Sequence, residues 1–235
     1  FELVEGDAGS IWWYNRVRRP GVDLDSFKEP YCAELRERYR RLNRDLWVID
    51  ITSDLGIPTF AAVSRRTDKP VEDIQFAFGS HFDTRIAMLR ALTELNQFLP
   101  AVMHMPADGS GTYLFDDPES IHWWKTAKIT QHPHLLPHPN MPLRRADDYE
   151  RLWSDDVRDD VLRCQAIMEQ RGMEMLVLNQ TRPDIGLPVV KVVVPGLRHF
   201  WARFGPGRLY DVPVKLGWLK QPLAEDQLNP IPIFI

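Results

Sequence analysis

Two short runs of polar side chains stand at spacings that suit phosphate and metal chemistry. Glu2 and Glu5 are three residues apart in Phe1-Glu2-Leu3-Val4-Glu5, so on a helix they share one face. Arg90, Glu94 and Gln97 recur at steps of four and three in Arg90-Ala91-Leu92-Thr93-Glu94-Leu95-Asn96-Gln97, again along one helix face. Carboxylates offered by two facing helices make an oxygen-rich site, and Mg²⁺ takes hard oxygen ligands that it usually shares with phosphates. An arginine one turn from such a carboxylate can reach a phosphate as a fork-shaped donor. The Gln97 amide adds both a donor and an acceptor for a metal or a nucleotide. Neither G-x-x-x-x-G-K-[ST] nor G-x-G-x-x-G occurs, so a nucleotide site here is built from carboxylates, metal and arginine. Glu-x-x-Glu alone is more often a solvated helix face than a ligand pair. The elements that bring the two helices together therefore matter as much as the residues.

The remaining candidates have plainer readings. His132, His134 and His138 cluster in a Pro-rich stretch that lacks the rigid frame of a zinc site, so they read as solvent-exposed loop histidines. His81, just ahead of the Glu94 helix, reads either as a cap-region residue or as one facing the site, and both stay open. Cys32 and Cys164 are far apart and read as free thiols. No Ser-His-Asp order and no Gly-x-Ser-x-Gly signature appears. The tryptophan pairs Trp12-Trp13 and Trp123-Trp124 read as core or interface.

The surrounding pattern supplies elements to hold these residues. A helix runs from the start to about residue 19 and is stopped by Pro20. Residues 34–44 are charged and helix-favouring, with their charges read as a solvated face. Residues 46–52, 59–64 and 74–78 are rich in branched and aromatic residues and read as strands. The clearest helix spans 85–99 and ends at Pro100. A short helix fits 121–127, and Pro133, Pro137, Pro139 and Pro142 make 130–147 an extended, Pro/His-rich surface connection. A helix over 155–171 leads to a strand at 175–179, and the apolar run 189–194 reads as a buried strand. From Pro213 to the end the chain reads as an extended tail. Helices and strands of both kinds alternate without an internal repeat, which gives an α/β (α+β) fold, a mixed sheet with flanking helices.

The 235 residues are 44% hydrophobic and 26% charged with a formal net charge of −4, an ordinary globular balance with no call for a nucleic-acid partner. No stretch reaches the roughly 18 apolar residues of a membrane span. The chain opens inside a helical pattern with no cap signal and no Met, so it reads as a piece of a longer protein, cut at its N-terminus.

Four segments together resemble the YcaO family, in particular its azoline-forming members. Glu2-Leu3-Val4-Glu5-Gly6-Asp7-Ala8, with Trp12-Trp13-Tyr14-Asn15-Arg16, is similar to that family's E-x-x-E-R-D-A helix and its W-W-Y-N-R continuation. Gly79-Ser80-His81-Phe82-Asp83 and the Arg90–Gln97 run resemble the R-A-x-x-E-x-x-Q helix. Residues 187–197 resemble a late strand and turn, and Pro230-Ile231-Pro232-Ile233-Phe234-Ile235 a P-x-P-x-P tail. The resemblance implies the C-terminal portion, residues 1–235, of a YcaO-like domain in a cytoplasmic cyclodehydratase that uses ATP and Mg²⁺. It implies Glu2, Glu5 and Glu94 as metal ligands, and Glu5, Arg90, Glu94 and Gln97 as the nucleotide site. The tail, 213–235, would bring Pro230, Pro232 and the Ile235 carboxylate to the peptide for proton transfer. Implied partners are a ribosomal precursor peptide and a leader-binding protein or domain, with room for a flavin dehydrogenase and a homodimer. Gly6 stands where the resemblance has Arg, Phe234 where it has a third Pro, and an upstream S-x-x-E-x-x-E-R motif is not in this sequence. A YcaO-like scaffold that binds the peptide for a partner subunit is therefore the alternative to the enzyme.

Overall fold

A computed structural model describes residues 1–103, 113–114 and 116–234. The first helix, α1 (Glu2–Asn15), has almost no solvent face: Val4, Ala8, Ile11, Trp12, Trp13 and Tyr14 are buried, and so are Glu5, Asp7, Ser10 and Asn15. A helix covered all round belongs inside its domain. It stops at Arg16, whose left-handed conformation (φ 50°) turns its N–H back onto the Trp12 and Trp13 carbonyls, and not at Pro20.

The charged helix α2 (Pro30–Arg41) precedes a three-stranded antiparallel sheet of β1 (Arg44–Asp50), β2 (Thr59–Arg66) and β3 (Gln75–Ser80), in that order. Its register places Val48 beside Ala62 and Ala77, and Ile49 beside Ala61 and Phe78. The first set, with Phe60, packs against Leu35 and Tyr39 of α2 and against Ala87, Met88, Ala91 and Leu92 of α3 (Thr84–Met103). The second set, with Val63 and Phe76, packs against Ala8, Trp12 and Trp13 of α1. The sheet is thus the middle of three layers, and strands covered on both faces explain the near-continuous apolar runs in the sequence. α4 (Pro118–Thr126), α5 (Val157–Gln170), a hairpin of β4 (Leu176–Asn179) and β5 (Val190–Val193), and α6 (Arg208–Lys215) complete the described α-helices and strands. The flanked sheet expected from the sequence is present, and all three described ladders are antiparallel.

Several local expectations are corrected. α3 continues through Pro100 to Met103, because burial of Ala101 and Val102 outweighs a mid-helix proline costing about 3 kcal/mol. Arg44 is not on a solvated face. It is buried between the Ser64 hydroxyl (2.9 Å) and the Asp73 carbonyl (2.6 Å). The 130–147 connection does not stay on the surface: His134 and Leu135 are fully buried in a one-turn 3-10 helix, Pro133–Leu135. The run 189–194 forms β5, but every residue of that strand is exposed, because only β4 pairs with it. The tail from Pro213 is not wholly extended, since Pro213 lies within α6, where Leu209 and Val212 are buried. Cys32 and Cys164 are free thiols, as read from their spacing.

Candidate functional site

The site begins with a close approach of α3 to β3. A Cβ on Gly79 would stand 2.3 Å from both the Ala87 carbonyl oxygen and the Ala91 nitrogen, so only glycine lets the helix touch the strand there. β2 occupies one edge of β3, and the opposite edge offers main-chain N–H groups at alternate residues. The Phe78 N–H donates to Glu94 Oε2 at 2.7 Å, and the Ser80 main chain supports Glu5. Two carboxylates, one from α1 and one from α3, thus hang two residues apart on one strand edge.

Glu5 is buried, and its Oε2 accepts no hydrogen bond; Arg90 Nη2 stands 3.9 Å from that oxygen. Burial pushes the Glu5 carboxyl up to about 7, and the Glu94 charge adds to this, while Arg90 and the Ser80 main chain oppose it. Burial also raises Glu94, against its bond from Phe78 and the charge of Arg90. Glu2 is exposed, yet near enough for its charge to raise both. Gln97 is exposed one turn beyond Glu94. Glu2, Glu5, Arg90 and Glu94 therefore gather around one point, and Gln97 extends the same helix face.

Two like charges held partly out of water call for a cation, and the bare Glu5 Oε2 has an unused lone pair for one. Among the described residues no group of three or more His, Cys, Asp or Glu is arranged to hold a metal unaided. A pair of carboxylates that leaves further positions to phosphate oxygens and water is the usual protein share of a Mg²⁺ shell. The donor set fits Mg²⁺ in company with a nucleotide.

His81 lies in the cap region of α3, where Asp83 Oδ1 accepts the Arg85 N–H at 2.8 Å. His81 Nδ1 accepts the Asp83 N–H at 2.9 Å, and its ring lies 4.6 Å from Phe1. His132 and His134 join the aromatic core. The His134 ring stands 5.5 Å from Trp12 and 5.3 Å from Trp13, neither of its nitrogens has a hydrogen-bond partner, and burial lowers it to about 3.

The tail lies along the far end of α1. The Asn229 N–H donates to the Tyr14 carbonyl at 2.8 Å, Trp13 Nε1–H to the Ile231 carbonyl at 2.7 Å, and the Ile233 N–H to Tyr14 Oη at 3.3 Å. Pro230 is exposed and Pro232 half-buried; Ile235 lies outside the described residues. One residue set was missed in the sequence. Arg208, which opens α6, bridges Asp7 Oδ2 and Asp54 Oδ1 at 2.7 Å each, so α1, the β1–β2 turn and α6 are locked around one guanidinium. Asp7 stands two residues after Glu5, and that adjacency was the available signal. Gly6 faces the main chain of 198–200, with a Cβ position 3.7 Å from the Arg198 carbonyl.

A sequence profile described as YcaO cyclodehydratase, ATP- and Mg²⁺-binding, matches residues 1–198. The chain belongs to the YcaO family. A heterocyclase solved in complex with substrate and cofactor is 53% identical, with a TM-score of 0.92 over 99% of this chain and 30% of its own. The heterocyclase TruD is 51% identical, with a TM-score of 0.89 over 100% of this chain and 31% of its own. An uncharacterised protein of Methanothermobacter thermautotrophicus is 27% identical over 202 residues, 85% of this chain and 51% of its own. The chain thus spans under a third of the two heterocyclases and about half of the archaeal relative. The fold expected from the sequence is the family's fold. Among the described residues no helix is long and apolar enough to cross a membrane.

Proposed function

We propose that this chain is the C-terminal portion of a YcaO domain that forms azolines in a ribosomally made precursor peptide at the expense of ATP. A Cys, Ser or Thr side chain attacks the preceding amide carbonyl, the resulting oxyanion takes the γ-phosphoryl group of ATP, and phosphate leaves with the former amide oxygen. The products are the ring, ADP and phosphate, with the equivalent of one water removed from the peptide. The carboxylate pair Glu5 and Glu94 on the open edge of β3 carries this reading.

In this assignment Glu5 and Glu94 hold Mg²⁺, with Glu2 at the outer side, and Arg90 and Gln97 reach the nucleotide from the same face of α3. Bound Mg²⁺ neutralises phosphate charge during transfer. The low-dielectric setting of Glu5 strengthens its hold on a cation relative to an exposed carboxylate. Pro230, Pro232 and Ile235 form the edge next to the peptide. The working protein is cytoplasmic, receives its peptide from a leader-binding protein or domain, forms a homodimer, and hands azolines to a flavin dehydrogenase where azoles are made.

The test uses the full-length protein with a Cys-, Ser- or Thr-bearing precursor peptide. Phosphate and ADP should appear only when peptide is present, with loss of one water per ring by mass, and Glu94→Ala should remove both signals. Full activity in Glu94→Ala would sink the site assignment. Peptide binding without any ATP-dependent mass loss in the unaltered protein would favour a scaffold.

A further inference from the structure

We propose that Phe234 is a positioning residue, whose ring locks the tail onto β3, the strand whose edge meets the carboxylate pair. The inference rests on the reaction proposed above for its activity readout, but its geometry stands independently. Residues 229, 231 and 233 turn toward α1 and are read through their main chains, by the Tyr14 carbonyl, the Trp13 indole and the Tyr14 hydroxyl. Asn229 tightens the run, since its Oδ1 accepts the Ile231 N–H at 3.3 Å. Pro230 and Pro232 fall at the alternate positions, where a missing N–H breaks none of these bonds. Continuing that alternation reaches position 234, and the residue there is Phe.

A proline at 234 would stiffen the tail through its fixed φ, whereas phenylalanine leaves the backbone free and must be ordered by contact. The contacts are present. The Phe234 ring centroid lies 5.5 Å from Phe76 in an edge-to-face arrangement and 5.6 Å from Trp123. Neither partner is loose. Trp123 is buried, with its Nε1–H donating to the Ile74 carbonyl at 2.8 Å, and Phe76 is stacked on Trp13 at 4.5 Å. Phe76 is also two residues from Phe78, the residue that holds Glu94. The tail end and the carboxylate pair are therefore both referenced to β3, one through an aromatic contact and the other through main-chain N–H groups.

The experiment compares Phe234→Ala, Phe234→Tyr and Phe234→Pro in the full-length protein. Phe234→Ala should lower kcat for peptide-dependent ADP release by about tenfold, as a misplaced reacting edge does, while KM for ATP and the melting temperature stay put. Hydrogen exchange at the Asn229 and Ile233 amides should run several-fold faster in Phe234→Ala than in the unaltered chain (about fivefold, from loss of local order). Phe234→Tyr should restore both readouts, and Phe234→Pro should restore kcat in part by stiffening the free tail. Unchanged kcat and unchanged exchange in Phe234→Ala would overturn the proposal. If the unaltered protein makes no azoline, the reaction assignment fails, and the exchange comparison alone then decides whether Phe234 locks the tail.

Discussion

β3 and the β4–β5 hairpin both present strand edges that no further described strand pairs, yet they are finished in opposite ways. Every residue of β3 is buried, and its free edge is met by Glu94 and Glu5 reaching in from two helices. Every residue of β4 and β5 is exposed, including Leu176, Leu178, Val190 and Val193. In the first region the described chain supplies both a covering layer and the groups that satisfy the edge. In the second it supplies an apolar sequence without the layer. The difference shows where the structural logic of the site is closed within these residues, and where it is not. The carboxylate pair is carried by α1 and α3 and met by β3, so it can be disturbed or tested without reference to the hairpin.

The largest break should come from Gly79→Ala. Its new methyl would meet two backbone atoms of α3 at 2.3 Å, and backbone cannot rotate aside as a side chain can. Displacing α3 from β3 should cost about 4 kcal/mol of stability in a denaturant melt and should loosen the Phe78–Glu94 bond. A melt equal to that of the unaltered chain would show that the close approach is not required.

A smaller effect should follow from His134, buried behind the same sheet. Its folded-state value of about 3 lies below the ordinary 6.5, so between those limits the unfolded chain binds a proton that the folded chain refuses. Stability should therefore fall as the pH drops from 6.5 toward 3, by about 3 kcal/mol between pH 7 and pH 4 from this residue alone. His134→Phe should flatten that slope while keeping an aromatic ring against Trp12 and Trp13. An unchanged acid slope in the variant would place the sensitivity elsewhere.

Legibility followed sequence distance. The spacing of Glu2 and Glu5, and of Arg90, Glu94 and Gln97, is local, and a helix converts it directly into a shared face. The three sheet strands were legible because burial on both faces leaves dense branched and aromatic runs. Arg208 was invisible as a partner of Asp7 because the two are 201 residues apart, and the nearness of Asp7 to Glu5 marks only one end of the pair. His134 misled through composition. The prolines around it signalled a surface, while Leu135 and Leu136 beside it were the better guide to its burial. The apolar run at 189–194 identified a strand correctly, but a sequence states that a face is apolar without stating what lies on it.

The hairpin gives the gentlest and sharpest contrast. Val177 and Val192 are directly paired across it, are 54% and 37% exposed, and lie on one face. Replacing them with an opposite-charge pair, Val177→Glu with Val192→Lys, keeps a favourable cross-strand contact and removes apolar surface from water. Such a change on an uncovered face should move stability by no more than about 0.5 kcal/mol. It should also lower binding of a hydrophobic dye and concentration-dependent self-association of this 235-residue chain, since exposed apolar strand edges promote both. A loss as large as that expected for Gly79→Ala would mean that this face is packed within the chain itself, and the contrast between the two edges would collapse. Retained stability with reduced self-association would instead confine the structural requirement to β3, where two helices and one glycine bring the carboxylates together.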